Sequence, residues 1–537
     1  MSEQMVFARK ASGLVRGLSF IDAFGVGFMN QGLTPSMWVM ISLGLSVYTS
    51  GNLIIATILS VVLCGIGFSL VWGILGGSMP RSGGEYIYNS RIISPIIGIA
   101  ESFGNAFVWI MWIYVLAPWT VDPGLVMLFQ FLRVPSISDY LTTPMGFFIV
   151  ATIVNFLALL FLVFGLKVFA TAQKVIMVFA IVGTVIICLI FTFTTRDGFI
   201  QAWNNLAVQY NSLDYNGFLT AARSAMQDAG KTLSANWNWF DTFGVMVAGS
   251  WLFAYSYCIT FIAGEVKRPD KTIILANFFA VLVPGIFMVW LAAALYRSVG
   301  FEFLSASAFV DSNFGNALPG YALPWSPQFV GLAAVLTKSK ILLILMALSF
   351  ILFNLWWVAL SYLAFPRILF AWGMDRMGPK WFADIDARWA TPVKNHILCF
   401  ILGEIGIAIY AFFKNPMTGL SVTGLEIVSV FGVTAIAATI FPYVKKVRHI
   451  WDASPYKKWK IFGIPAVTFG GIVNLIYLAI LFYFFIIMPD LEGLTMGSVI
   501  LYVVIWGLGI LWYLYWKNRN KQIGVDISMT YGELPPD

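Results

Sequence analysis

The chain has 537 residues, 60% of them hydrophobic and 11% charged, with 32 Lys and Arg against 25 Asp and Glu and a net charge of +7. Ordinary soluble domains carry roughly 25% charged residues, so this composition excludes a water-soluble globular protein and points to a bilayer. The basic residues form no aromatic-interleaved patch and sit in short segments between apolar runs, which argues against a nucleic-acid partner and for anionic membrane lipid as their neighbour.

Apolar runs of about 20 residues predict about twelve spans, near 17–48, 52–78, 95–121, 143–165, 168–195, 239–263, 272–299, 340–373, 394–413, 421–444, 462–488 and 495–517. Arg9, Lys10 and Arg16 precede a first run that is too long for a removable leader and lacks its small-residue cleavage site, so that span is expected to stay. The stretches 196–238 and 300–339 carry Asn, Ser, Asp and Pro without apolar periodicity and read as partly structured external loops. With the N-terminus inside, the cytoplasmic segments hold 24 of the 32 Lys and Arg residues and the opposite side holds 8, so both termini are expected in the cytoplasm. Cys64, Cys188, Cys258 and Cys399 fall singly within apolar runs, a pattern of small core residues rather than of a disulfide or zinc site.

The first run contains "DAFGVGFMNQG", Asp22 to Gly32. Gly25, Gly27 and Gly32 give up helix propensity, and Asn30 and Gln31 carry amides that lipid cannot satisfy. Close helix packing would explain a lone pair of glycines. The run is longer than one crossing needs, and Asn30, Gln31 and Thr34-Pro35 follow at once, so a break at the glycines into two half-helices is expected. A freed helix N-terminus at bilayer depth suits a carboxylate, and freed carbonyls suit an ammonium group.

In the third span, Glu101 directly precedes Ser102 and lies one turn before Asn105. A charged side chain at membrane depth signals function by default, which makes Glu101 a candidate for alternating between protonated and charged states if it faces a cavity. The competing reading pairs it with Arg91 or Lys174 as a structural contact. The sixth span opens with "GSWLFAYSYCITFIAGEVKRP", Gly249 to Pro269. It has no central glycine, yet its Ser, Tyr and Trp content is unusual for a lipid-facing stretch.

Four stretches resemble, in order and spacing, the amino acid–polyamine–organocation (APC) permease superfamily. "MPRSGGEYIYNSR" after the second span looks like P-x-x-GG-x-Y-x-Y, and "GVG" at Gly25–Gly27 is similar to the G-S-G break of helix 1. "GEVKRPDKTI" resembles the segment closing helix 6, and Ser361–Val393 is similar to helix 8 and its following loop. Together they cover roughly residues 15–445. In the loop motifs, Gly83 and Gly84 suit a tight turn, and Arg367, Asp375 and Arg376 are expected to pair at the membrane surface.

The resemblance implies an all-α membrane protein with a core of ten helices in two inverted five-helix repeats, with helices 1 and 6 broken. The implied organisation is a cytoplasmic segment 1–16, a first repeat 17–195, an extracellular loop 196–238, a second repeat 239–444, peripheral helices 11 and 12 over 445–517, and a cytoplasmic tail 518–537. It implies substrate contacts at Gly25, Val26 and Gly27 in helix 1, Trp251, Phe253, Ala254, Tyr255 and Ser256 in helix 6, Ser102 in helix 3 and Ser361 in helix 8. Two departures stand out. Tyr255 replaces the usual helix 6 glycine, and Tyr257 replaces a frequent carboxylate, which disfavours a strongly cationic substrate.

The function implied is a secondary active permease of the cell membrane, for a neutral amino acid, working by alternating access. Helix 5 offers no lysine near Ala180 and helix 8 no adjacent Ser/Thr pair for sodium, which leaves a proton-coupled importer or an exchanger. The alternatives are a polyamine or organic-cation permease and a transporter-like nutrient sensor. The only histidines, His396 and His449, sit at span ends, and no hydrolase or metal-ligand spacing occurs, so neither an enzyme, a cofactor nor a metal site is expected.

Overall fold

A computed structural model describes residues 16–413, 417–487 and 495–535. Arg9 and Lys10, and Lys414 among the 8 basic residues assigned to the opposite side, lie outside the described residues, as does almost all of the segment 1–16.

The first apolar run is split. Helix α1, Phe20–Met29, starts at a capping box in which Ser19 N–H donates to Asp22 Oδ2 at 2.9 Å and Asp22 N–H to Ser19 Oγ at 3.3 Å. Helix α2, Leu33–Trp38, follows after Asn30–Gly32 and continues through wider turns to Val47. Then come α3 (Leu53–Ser78), the short α4 (Glu85–Ile92), α5 (Pro95–Trp119), α6 (Pro144–Val163) and α7 (Leu166–Phe193). A second split run begins with α8, Trp239–Ala248, and decays through the single turn Ser250–Phe253 into tight 3₁₀ turns at Ser256–Phe261 and Ala263–Glu265. The chain ends with α9 (Pro269–Ser298), α10 (Lys340–Met374), α11 (Val393–Phe413), α12 (Met417–Ile440), α13 (Ala466–Ile487) and α14 (Met496–Gln522). Among the described residues, ten helices are long and apolar enough to cross a membrane, and the two split runs are not among them.

Lipid provides no hydrophobic drive between helices, so close backbone approach has to supply the packing. The most extensive helix pair, α3 with α9, shows this: a Cβ on Gly73 would sit 2.8 Å from Ile274 Cγ1. At the loop after α3, Gly83 and Gly84 have φ of +119° and +56°, which turns the chain tightly into α4 as the double glycine suggests.

The charged pairs at this end differ from the expected surface pairing of Arg367, Asp375 and Arg376. Arg367 Nε and Nη2 donate to Glu265 Oε1 and Oε2 at 2.8 and 3.3 Å, and Arg91 Nη2 donates to Asp375 Oδ1 at 2.8 Å. Both pairs are buried. The cause is the second split run, which carries Glu265 under α10, while α4 carries Arg91 to its far end. At the opposite end, 196–238 and 300–339 each carry two helices and pack around Phe303, which stacks on Tyr215 with ring centroids 4.5 Å apart.

Candidate functional site

The two interruptions meet. Asn30 Nδ2 donates to Tyr255 O at 2.8 Å, Gln31 Nε2 donates to Phe253 O at 3.3 Å, and Tyr255 N–H donates to Gln31 Oε1 at 3.4 Å. All four residues are fully buried. Where α8 gives way to 3₁₀ turns, its carbonyls lose their helical donors, and buried backbone groups must be partnered. The amides of the first run supply that need, which explains polar side chains in an apolar stretch.

The break lies one turn later than the glycines suggest. Helix α1 runs continuously through Gly25, Val26 and Gly27, and the chain leaves the helix at Asn30–Gly32, where Gly32 has φ +53°. Gly25 and Gly27 serve close approach: a Cβ on Gly25 would lie 2.3 Å from Gln173 Nε2, and one on Gly27 would lie 3.0 Å from Ala280 Cβ and 3.2 Å from Ser256 O. Gln173, on α7, donates to Asp22 O at 3.0 Å and accepts from Trp356 Nε1 at 3.1 Å. It thereby ties α1 to α7 and α10. Nearby, the Thr34, Thr184 and Ser349 hydroxyls are mutually bonded at 2.5 to 2.8 Å, joining α2 to the same two helices.

Around the breaks stands an aromatic wall. Tyr255 meets Trp112 edge-on at 5.4 Å and Trp357 at 5.6 Å, and a Cβ on Gly32 would strike Trp357. Phe253, Ala254 and Ser256 are buried with it. Asn30 Oδ1, Ser256 Oγ and Trp357 Nε1 are buried polar atoms without a hydrogen-bond partner, and they give the break region both acceptors and a donor. Ser361 lies one turn beyond Trp357 on α10 with its Oγ likewise unpartnered. Ser102 is not brought to this cluster, since its hydroxyl donates to Ile99 O at 3.0 Å and accepts from Trp372 Nε1 at 2.8 Å. The Trp251 side chain lies outside the described ones.

Glu101 is fully buried, and neither carboxyl oxygen has a hydrogen-bond partner. The two cations considered for it are taken: Lys174 pairs with Asp22 at 3.0 Å and Arg91 with Asp375 at 2.7 Å. Two further acids, Glu85 and Glu426, are buried in the same region. Trp72 Nε1 donates to Glu85 Oε1 at 3.0 Å, Asn105 Nδ2 to Glu85 Oε2 at 3.2 Å, and the Tyr257 hydroxyl to Asn105 Oδ1 at 3.3 Å. Burial pushes the Glu85 carboxyl up to about 8, while the Trp72 and Asn105 hydrogen bonds pull it down. Sequence reasoning passed over Glu85, Glu426 and Gln173. The available signal was the same as for Glu101, a polar or acidic side chain in apolar surroundings.

A separate cavity of about 260 Å³ lies at the opposite end from α4, lined by Asp122, Gln130, Asn316, Trp325 and Gln328. Among the described residues, no group of three His, Cys, Asp or Glu side chains could hold a metal ion.

Comparison with known proteins agrees with this architecture. A sequence model of the amino acid permease family matches residues 25–523. The chain is also similar to "Cationic amino acid transporter 4, vacuolar" of Arabidopsis thaliana, 26% identical over 203 residues, which is 37% of this chain and 30% of that relative.

Proposed function

The chain belongs to the amino acid permease family, and on that premise we propose that it is a secondary active transporter that carries a neutral amino acid across the cell membrane by alternating access. The observation that carries this reading is the reciprocal bonding of the two breaks, Asn30 to Tyr255 O and Gln31 to Phe253 O. Such contacts satisfy freed backbone in a closed arrangement and can be exchanged. When the breaks separate, the Phe253 and Tyr255 carbonyls become acceptors for an ammonium group, and the Gly25–Gly27 backbone, Trp251, Ala254, Ser256 and Ser361 are the further substrate contacts we assign, with Ser102 a more distant supporting residue. Trp112, Tyr255 and Trp357 supply apolar surface for a side chain.

Tyr257 supports a neutral substrate, because its hydroxyl is engaged with Asn105 and offers no negative charge. A cationic substrate is the second reading, favoured by the name of the Arabidopsis relative and by the buried acids nearby. In our reading the core is two inverted five-helix repeats, 17–195 and 239–444, with both termini cytoplasmic, and the protein catalyses no chemical reaction. Coupling is by proton or by exchange, with Glu101 as the candidate carrier because it lacks a cation partner among the described residues. The test is uptake by proteoliposomes of labelled alanine, leucine, phenylalanine, lysine and spermidine, with and without an imposed pH gradient. Neutral amino acid uptake supports the proposal, lysine or spermidine alone supports the second reading, and binding without flux identifies a sensor.

A further inference from the structure

Three carboxyl groups, Glu85, Glu101 and Glu426, are fully buried where α4, α5 and α12 meet. The buried cations of the region are committed elsewhere, Arg91 to Asp375 and Arg367 to Glu265. Three unpaired negative charges there would be prohibitively costly, so most of the cluster is held as neutral acid. The hydrogen bonds identify the member built for charge: Glu85 has a donor on each oxygen, Trp72 Nε1 and Asn105 Nδ2. Glu101 has none, and the Asn89 side chain that faces it has an Oδ1 without a donor. A proton on Glu101 therefore has an acceptor waiting. Glu426 receives one donor, Trp506 Nε1 at 3.1 Å, and Gly104 makes room for it, since a Cβ there would lie 2.2 Å from Glu426 Oε2.

We propose that Glu85, Glu101 and Glu426 form one shared proton site, and that Asn105 and Tyr257 transmit its state to the broken sixth run. The proposal rests on reading the chain as a transporter with its substrate at the breaks, and it extends coupling from Glu101 to a cluster centred on Glu85. When Glu85 is charged, Asn105 is held by a charge-assisted bond and in turn holds the Tyr257 hydroxyl, two residues from the carbonyl that Asn30 caps. Protonation of Glu85 roughly halves the strength of that bond and loosens Tyr257. The additional proton enters from water and is held on a carboxyl oxygen of the cluster, and the protons already there redistribute among the three acids.

The groups that interact with Glu85 are Tyr88 on its own helix, Trp72 from α3, Glu101 and Asn105 from α5, and Tyr257 and Cys258 from the 256–261 turn, while Tyr86 and Arg91 of the same helix bond Asp375. The other elements packed against α4 carry Arg367 and Asp375 on α10, Glu426 on α12, and Lys446 on the 445–447 turn, which donates to Ile93 O at 2.7 Å. None of these cations pairs with the cluster among the described residues. Bound protons shared among the three acids are thus the remaining way to hold the charge down.

The experiment uses the full chain in proteoliposomes with labelled alanine, leucine and phenylalanine, comparing wild type, Glu85→Gln, Glu101→Gln and Tyr257→Phe. Counterflow is measured over two pH units either side of about 8, and accumulation is measured under an imposed inward proton gradient. We expect wild-type apparent affinity to change by up to about tenfold per pH unit across part of that range. Glu85→Gln and Tyr257→Phe should still exchange substrate, with a flat pH profile, and should lose gradient-driven accumulation. Wild-type pH dependence and accumulation in Glu85→Gln would overturn the proposal. Absence of all flux in wild type would instead overturn the transporter reading. Should Glu85→Gln fail to fold, infrared difference spectra of wild type decide: a buried carboxylic C=O band that disappears near pH 8 and shifts with substrate is expected, and its absence overturns the shared site.

Discussion

Replacing Asn30 by Ala removes the side chain that joins the first break to the second. Asn30 is fully buried, and its Nδ2 donates to Tyr255 O at 2.8 Å. Deleting a donor from a buried carbonyl costs about 1–3 kcal/mol. That cost falls on the closed arrangement alone, because a separated break gives the same carbonyl to water or to substrate. The closed-to-open equilibrium should therefore move toward open by about 5- to 150-fold. Hydrogen exchange read by mass spectrometry on a peptide covering 253–261 measures this directly, since exchange of that segment requires its backbone to be exposed. The expected result is faster exchange there by a comparable factor, with α9 peptides unchanged. Gln31→Leu should give a smaller change for each bond lost, because its two bonds are longer, at 3.3 and 3.4 Å. Unchanged protection of 253–261 in Asn30→Ala would refute the claim that these amides hold the two breaks together.

Gly27→Leu should abolish uptake while the protein still inserts in the membrane, because the new side chain meets Ala280 and the Ser256 carbonyl; wild-type uptake by this variant would contradict that account. Arg367→Met should destabilise by about 3–5 kcal/mol by stranding Glu265, and Arg367→Met/Glu265→Leu should recover much of the loss in a thermal-unfolding assay in detergent. Tyr531→Ala should loosen the end of the bundle at α4 by about 0.5–2 kcal/mol, since that ring covers the Arg91 guanidinium at 5.1 Å and bonds Tyr86; faster protease cleavage near the C-terminal residues would register it. Glu85 binds its proton more tightly folded than unfolded, so stability should fall as pH rises from the ordinary carboxylate value toward about 8. Glu85→Gln should remove that slope.

Ten of the twelve expected spans were legible as single long apolar helices because each is a local property: twenty apolar residues declare themselves without a partner. The double glycine at Gly83-Gly84 was equally local, a turn of positive φ written in two adjacent letters. The first break was readable as an interruption but misplaced, because glycine in a membrane helix serves close packing as readily as unwinding. The groups that decided the matter, Gln173 against Gly25 and Ser256 against Gly27, come from segments far along the chain. The buried pairs followed the same rule. Arg367 stood beside Asp375 and Arg376 in sequence, yet Glu265, 102 positions away, is its partner. Glu85 was hidden by the motif that contains it, since the position between the glycines and the tyrosine looks variable until Trp72 and Asn105 are seen on its two oxygens. A buried acid is recognised by its surroundings, and those are assembled only by the fold.

If an amino acid passes between the two breaks, its flux depends on the backbone there. The most direct measurement is counterflow of labelled neutral amino acids into proteoliposomes containing wild type or Gly27→Leu, with matched protein content and membrane insertion. Saturable exchange of at least one neutral amino acid by wild type and none by the variant is expected. Exchange surviving in Gly27→Leu, or no amino acid exchanged by wild type, would contradict it.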